Sequence, residues 1–379
     1  MAGIYIHIPF CKQACSYCDF YFVTRKQLIP AFTDALVDEI NYYKNTPYTA
    51  ETIKTIYIGG GTPSLIPAAQ LETLFATLYD TFRVEPSEVT MELNPDDVTT
   101  DYLRSIKSLG ITRASIGIQS FQPEILQFMH RTHTRDEAIH SLEALQKTSF
   151  PDFTADLIYG NPGQSEELLQ EDIEQLLLFD PPHISAYSLT IEPKTRLGKQ
   201  VELGRITPPD DEQVSGHFDL LRDLLAQAGL RQYEVSNFSK PGREAVHNSN
   251  YWNHQNYFGL GPSAHSFWRQ GQNAVRWINK AEIKTYLKGP PNEYRAEVET
   301  LGPETLAEES LMLGLRTRKG VDTTELSDRY NYFFSESQKN WILSQVNCGT
   351  MVLENGVLKL TQGGLKICDL LVVDLLSKR

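Results

Sequence analysis

The 379-residue sequence lacks any apolar run long enough to span a membrane, and its first residues do not read as a secretion signal. A spanning helix needs about 18 or more consecutive apolar residues, and a secretory leader needs a basic start followed by an apolar core. The opening MAGIYIHIPFCKQ offers neither, and it lacks the basic character of a transit peptide. We therefore expect a cytoplasmic protein whose contact with membranes, if any, is peripheral.

Basic residues are in deficit. The chain has 35 Lys and Arg against 48 Asp and Glu, which gives a formal net charge of −13. Proteins that bind nucleic acid through charge need a basic surface. We expect no nucleic-acid partner, although a local basic pocket is compatible with this total.

Cysteine is scarce as well, with five residues in all. A disulfide framework of a secreted domain would use an even number spread along the chain. Here three cysteines fall within eight residues and two lie far away in the C-terminal part. This distribution indicates a reducing compartment and clustered metal ligands, with Cys348 and Cys368 as plain buried residues.

The first 240 residues alternate short apolar segments with amphipathic ones. The pattern predicts strands at 3–8, 53–58, 88–93, 113–118, 152–158 and 184–189 and helices at 28–44, 67–82, 100–109, 135–147 and 166–178. Such repetition is typical of parallel strands joined by helical crossovers, with chemistry on the loops that follow the strands. We predict an α/β fold, a partial (β/α)6 barrel.

The remaining sequence predicts a smaller second domain. A helix at 210–228 and a strand at 232–235 precede an aromatic, Gly/Asn-rich segment (237–279), and residues 286–300 read as a linker. Beyond it we predict helices at 304–315, 322–330 and 335–346, a hairpin at 350–360 and a final helix at 364–377. The expected domains are 1–285 and 300–379, the second resembling a winged helix.

The strongest motif is C-x3-C-x2-C at Cys11, Cys15 and Cys18, directly after the first predicted strand. Thiolates are suited to iron–sulfur clusters, and three of them leave one iron of a 4Fe-4S cluster without a protein ligand. A zinc site completed by His7, or three structural cysteines, are the alternatives.

The segment YIHIPFCKQACSYCDF resembles the radical-SAM signature. More closely, it resembles the family of oxygen-independent coproporphyrinogen III oxidases and their heme-chaperone relatives of the HemW type, over essentially the whole chain. The resemblance implies a 4Fe-4S cluster whose open iron binds S-adenosylmethionine (SAM). It also implies an electron donor such as flavodoxin or ferredoxin.

The same resemblance implies a SAM site spread over several loops. The matching residues are Tyr5 near the sulfonium, Gly60, Gly61 and Thr62 of the GGGTP loop and Glu92 at the amino group, Gln119 and Asp156 at the ribose, and Arg131 at the carboxylate. Ordinary roles remain open for several of these residues: a strand aromatic, a strand–helix turn, a surface carboxylate or a solvated arginine.

Two features separate the oxidases from the chaperones. The oxidases carry a further cysteine two residues after the third cluster cysteine, where this chain has Phe20, and an N-terminal extension that we expect to be absent here. The segment HNSNYW matches the H-N-x-x-Y-W motif of the chaperones and suggests heme contacts from His247, Tyr251 and Trp252. The alternative is a structural aromatic loop with a core histidine. His254 and His265 are weaker candidates for heme.

We therefore predict a heme-binding chaperone that holds a 4Fe-4S cluster and SAM and passes heme, its cargo, to an acceptor protein, perhaps one at the membrane. One rival is an oxygen-independent coproporphyrinogen III oxidase that decarboxylates propionates with a 5′-deoxyadenosyl radical. The other is a radical-SAM enzyme acting on nucleic acid, with the C-terminal domain as reader.

Overall fold

The centre of the structure, a computed structural model that describes residues 2–379, is a curved sheet of six parallel strands in sequence order. The strands are β1 Ala2–Ile8, β2 Ile53–Gly60, β3 Val84–Leu93, β4 Arg113–Gln119, β5 Asp152–Tyr159 and β6 His183–Ser188. The helices between them are α1 Ile29–Tyr42, α2 Ala68–Thr81, α3 Thr100–Ser108, α4 Pro123–Phe128, α5 Arg135–Thr148 and α6 Glu166–Leu177. The predicted α/β arrangement is confirmed, and α4 is an addition to it.

The two faces of β1 show why the strands take this form. Ile4, Ile6 and Ile8 are fully buried in the core cluster that includes residues of α1. Tyr5 and His7 alternate with them and therefore lie on the opposite face. The inner face is polar, and it is the face that can line a site.

The sheet continues beyond β6 and on the far side of β1. The next elements are α7 Arg196–Glu202, α8 Asp211–Gln227, β7 Arg231–Gln232, β8 Asn237–Ser239, α9 Val246–Trp252, β9 Asn256–Leu260, β10 His265–Gln270, β11 Asn273–Asn279, α10 Ile283–Lys288 and β12 Arg295–Leu301. β9 pairs parallel to β1, and β10, β11 and β12 follow in antiparallel order, giving twelve strands in all.

Two expectations for this region are wrong. The predicted linker at 286–300 contains strand β12, which pairs with β11 along its length. The predicted strand at 232–235 is reduced to β7, while β8, which the sequence did not predict, pairs with β6. β12 and β7 are the two edge strands of the sheet, and neither carries a run of buried apolar residues that would mark it as a strand in the sequence.

The C-terminal part has the helix–strand–helix–helix–strand–strand order of a winged helix. It comprises α11 Pro303–Gly314, β13 Val321–Asp322, α12 Thr323–Tyr330, α13 Glu336–Asn347, β14 Met351–Glu354, β15 Val357–Leu360, α14 Gln362–Lys366 and α15 Cys368–Ser377. Its core is continuous with Phe267 of β10 and Ala274 of β11. The domain bounds 1–285 and 300–379 stay a prediction.

The two distant cysteines differ in their surroundings. Cys368 is buried at the start of α15, as expected. Cys348 is exposed, so the expectation of burial is wrong for it. It ends α13 just before a glycine turn, where its side chain has no core to face.

Candidate functional site

The three clustered cysteines lie on a loop that leaves the carboxyl end of β1. The Cys11 backbone N–H donates to Val23 (3.0 Å), and Ser16 Oγ donates to the carbonyl of Phe128 at the end of α4 (3.0 Å). All three cysteines are free and partly exposed, and they line a cavity of about 530 Å³. The loop thus presents three thiols to one chamber.

Burial makes the thiols of Cys11 and Cys18 weaker acids. It raises the pKa of Cys11 to about 12 and that of Cys18 to about 11. Thiolates are the metal-binding form, so assembly of a cluster here would release protons.

The zinc alternative fits the geometry poorly. Nε2 of His7 lies 2.9 Å from the carbonyl of Tyr21, and its Nδ1 lies 3.0 Å from the hydroxyl of Tyr5. Both ring nitrogens are therefore engaged. Within residues 2–379, no group of three or more His, Cys, Asp or Glu side chains is already arranged as a metal site, and this includes Cys11, Cys15 and Cys18.

Glu92 is the main carboxylate on one wall of the cavity. Its Oε1 accepts from the hydroxyl of Tyr57 (2.8 Å) and its Oε2 from the backbone N–H of Gly60 (3.0 Å). Burial raises the pKa of Glu92 to about 7, and Asp156 adds to the shift, against the two hydrogen bonds. No ion pair involves Glu92 in the described chain. A ligand ammonium would supply the missing charge.

The glycines after β2 bring backbone close to this carboxylate. A Cβ on Gly59 would lie 2.8 Å from Glu92 Oε1, and one on Gly61 would lie 2.6 Å from the carbonyl oxygen of Phe10. Gly60 has a φ of 109°, which L side chains rarely adopt. Gly60, Gly61 and Thr62 line the cavity. The loop therefore packs in a way that only glycine allows.

Asp156 and Gln119 face the same cavity from β5 and β4. Asp156 Oδ2 accepts from Ser115 Oγ (2.9 Å), and burial raises its pKa to about 6. Gln119 has a φ of 66°, an uncommon conformation for a non-glycine residue, which re-aims its side chain at the end of the strand. The two residues are brought together as the sequence predicts.

Arg131 lies next to the loop that carries Cys11, Cys15 and Cys18, which we call the cluster loop. Its Nη1 lies 3.6 Å from Cys15 Sγ and its Nη2 donates to the carbonyl of Gly117 (3.0 Å) and to Asn94. Its buried Nε has no hydrogen-bond partner. An unpaired buried donor beside the thiols is suited to an incoming carboxylate.

Tyr5 is the one predicted SAM residue that the structure does not place in the cavity lining. Its ring stacks on Tyr57 with centroids 6.1 Å apart, and its hydroxyl bonds to His7. Tyr5 therefore contacts Tyr57, which lines the cavity, but does not line the cavity itself. Its role near a sulfonium stays a prediction.

The heme motif lies at the opposite end of the barrel. α9 crosses the amino ends of β1 to β3, where a Cβ on Gly3 would lie 3.2 Å from the His247 ring. His247 Nδ1 is 2.8 Å from Thr55 Oγ1 and its Nε2 is 2.9 Å from the hydroxyl of Tyr251. Burial lowers the pKa of His247 to about 3. In this conformation both nitrogens are occupied.

The other motif residues are not at one open surface either. The Tyr251 ring packs edge-on against His247, with centroids 5.0 Å apart, whereas Trp252 lines a separate cleft. His254 is buried, with Glu309 Oε2 3.0 Å from its Nε2, and His265 is exposed at the start of β10. The heme assignments of these residues remain predictions.

Several cavity residues were not predicted from the sequence. They are Lys12, Tyr57, Asn94, Thr132, Tyr187 and Asn248. Lys12 forms ion pairs with Asp96 (2.7 Å) and Asp97 (2.5 Å), which anchor the cluster loop to the loop after β3. The motif NPDD after β3 was the available signal for this contact.

Comparisons with known proteins identify the family of the chain. Residues 5–176 match the Radical SAM superfamily. The heme chaperone HemW of Lactococcus lactis subsp. lactis is 33% identical over 96% of this chain and 94% of that protein. The heme chaperone HemW of Escherichia coli is 38% identical over 69% of each.

A mitochondrial relative and a solved structure extend the comparison. The radical S-adenosyl methionine domain-containing protein 1 of Mus musculus is 32% identical over 100% of this chain and 88% of that protein. The solved structure of the coproporphyrinogen III oxidase HemN from Escherichia coli superposes with a TM-score of 0.84, covering 99% of this chain and 89% of that one at 19% identity. At that identity the match speaks for the fold alone.

Proposed function

The chain belongs to the HemW family within the radical SAM superfamily, and we propose that it is a heme chaperone that holds a 4Fe-4S cluster and SAM and delivers heme to an acceptor protein. The observation that carries the proposal is the identity of 33–38% to several proteins named heme chaperone HemW over most of the chain. We place its work in the cytoplasm, with the acceptor at a membrane and flavodoxin or ferredoxin as electron donor. No helix in residues 2–379 is long and apolar enough to cross a bilayer.

The residues present fit both resident groups. Cys11, Cys15 and Cys18 supply three soft ligands on one loop and leave the fourth iron open. Glu92, which lacks a cationic partner, would take the SAM ammonium, and the free Nε of Arg131 would take its carboxylate. When bound and reduced, the cluster supplies one electron to the sulfonium; the protein orients the ligand and excludes water.

The oxidase is the rival that shares this chamber. The position two residues after the third cluster cysteine is Phe20, which is 69% exposed at the cavity wall and offers no ionisable group. Phenylalanine at the position where the oxidases carry a cysteine supports heme carriage over decarboxylation of coproporphyrinogen III.

An anaerobic experiment separates the two functions. Cluster-loaded protein with SAM is divided between a coproporphyrinogen III turnover assay and a hemin titration followed by desalting. We expect hemin to stay with the protein near stoichiometry and no protoporphyrinogen to form. Catalytic formation of protoporphyrinogen would establish the oxidase instead, and loss of all hemin on desalting would end the chaperone proposal.

A further inference from the structure

A second cavity, of about 580 Å³, lies on the underside of the barrel. Its walls come from β7, α9 and the loop that leads from α11 to β13. Two backbone hydrogen bonds join these walls: Arg318 N–H donates to the carbonyl of Tyr233 (2.9 Å), and Val235 N–H donates to that of Arg316 (3.0 Å). We call this cavity the underside cleft. Its base is fixed by main-chain contacts, so it does not depend on flexible side chains.

The underside cleft is basic although the protein is acidic. Arg231, Arg318 and Lys319 line it, all three are exposed, and none forms an ion pair within residues 2–379. Glu244 is the one carboxylate of the lining, so the cleft is positive overall. In a chain with a net charge of −13, three cations without ion-pair partners on one cleft suit an anionic ligand with more than one charge.

The same cleft also offers aromatic surface. Trp252 is half-buried on its wall, at the end of the HNSNYW segment. Tyr233 is held in place because its hydroxyl lies 2.8 Å from Nε2 of the buried His183. A fixed aromatic wall beside cations suits a flat ligand that carries acidic groups at one edge.

We propose that the underside cleft binds the heme cargo through its two propionate carboxylates and its ring. The inference rests on the proposed chaperone function and adds the place and the chemistry of recognition. Arg231, Arg318 and Lys319 take the carboxylates, and Trp252 contacts the macrocycle. The lining defined by the described residues contains no His, Cys or Met. The cleft therefore recognises the porphyrin and leaves the iron without a strong ligand, which favours release to an acceptor.

The test compares three probes on the full, cluster-loaded chain. Hemin, metal-free protoporphyrin IX and protoporphyrin IX dimethyl ester are titrated against wild-type protein, the double variant R231A/R318A and the control R205A. Arg205 is also exposed and without an ion pair, but it lines neither cavity. All three proteins are checked for equal cluster content and melting temperature.

We expect wild type to bind hemin and protoporphyrin IX with the same affinity and the dimethyl ester much more weakly. Because a hydrogen bond to a charged group contributes about a factor of ten, R231A/R318A should weaken both acids about 100-fold. Affinity of the wild type should also fall with added salt, and R205A should bind as wild type does.

Two outcomes overturn the proposal while leaving heme carriage intact. One is hemin binding that R231A/R318A does not change. The other is tight binding of hemin without binding of metal-free protoporphyrin, which would show that an iron ligand elsewhere dominates. Failure of wild type to retain any hemin would instead refute the proposed function itself, and the cleft as cargo site with it.

Discussion

Replacing Glu92 with glutamine should change stability and SAM affinity in opposite directions at alkaline pH. The native pKa of Glu92 is raised from 4.5 to about 7. The folded protein therefore holds a proton that the unfolded chain has already released. The stability that this proton contributes is complete below about pH 4.5 and is lost as the pH rises through about 7.

The magnitude follows from the shift. At 1.36 kcal/mol per pKa unit, the full shift corresponds to about 3.4 kcal/mol, and cavity water around the half-buried side chain reduces this to about 2 kcal/mol. Glutamine cannot ionise, but it keeps only one acceptor oxygen for Tyr57 and Gly60, which costs about 1 kcal/mol. Glu92→Gln should thus be less stable than wild type by about 0.5 kcal/mol or less at pH 5, where the unfolded carboxyl is already mostly ionised, and more stable by about 1 kcal/mol at pH 8.

Urea unfolding of cofactor-free protein at pH 5, 6, 7 and 8 measures this difference. Glu72→Gln, on the exposed face of α2, serves as the control and should follow wild type throughout. Equilibrium dialysis of SAM with cluster-loaded protein gives the second readout, in which Glu92→Gln should lose about tenfold or more in affinity. Identical pH slopes for wild type and Glu92→Gln would refute the assignment of a raised pKa to this carboxyl.

Three further perturbations test other parts of the molecule. Alanine at all three cysteines of the cluster loop should abolish bound iron, sulfide and the brown absorbance near about 400 nm of reconstituted protein; stoichiometric iron and sulfide in that variant would contradict the cluster assignment. Gly61→Ala should destabilise the protein by about 1–3 kcal/mol, because the new Cβ would lie 2.6 Å from the Phe10 carbonyl oxygen. The control Gly302→Ala, whose Cβ would meet nothing within 4 Å, should not destabilise it in this way. Thermal melting compares the two variants. His247→Ala should lower the free energy of unfolding by about 2–4 kcal/mol, because Thr55 and Tyr251 lose their buried hydrogen-bond partner. Urea unfolding at pH 7 measures this change. An unchanged midpoint would mean that His247 does not stabilise the fold and is free to ligate heme.

The six-stranded core was predictable because each strand carries its own pattern. In β1, Ile4, Ile6 and Ile8 alternate with Tyr5 and His7, so the local sequence shows which residues face the core and which face the opposite side of the sheet. In a parallel sheet the loops after the strands lie at the same edge, so the sequence alone could assign Cys11, Glu92 and Asp156 to one cavity.

The outer strands and the surroundings of His247 were not predictable in the same way. β12 is defined by its pairing with β11 and buries little apolar surface of its own, so its sequence reads as a linker. The sequence also shows no sign of the contact between His247 and Thr55, because the two residues lie 192 positions apart and only the fold brings the hydroxyl to the imidazole. The heme contact suggested for His247 stays a prediction. In both cases the deciding contact is made by the fold and leaves no pattern in the local sequence.

The position of α9 has a consequence for the two proposed binding sites, the one at the cysteines and the one in the underside cleft. The helix crosses the amino ends of the strands and the cysteines lie at the carboxyl ends, so a strand of seven residues, roughly 20 Å, separates them. Asn248 of α9 nevertheless lines the same cavity as the cysteines. α9 therefore forms part of the floor of the cavity that the cysteines line. Under the functions proposed above, a radical formed at the cysteines would meet this floor before it reached heme bound in the underside cleft.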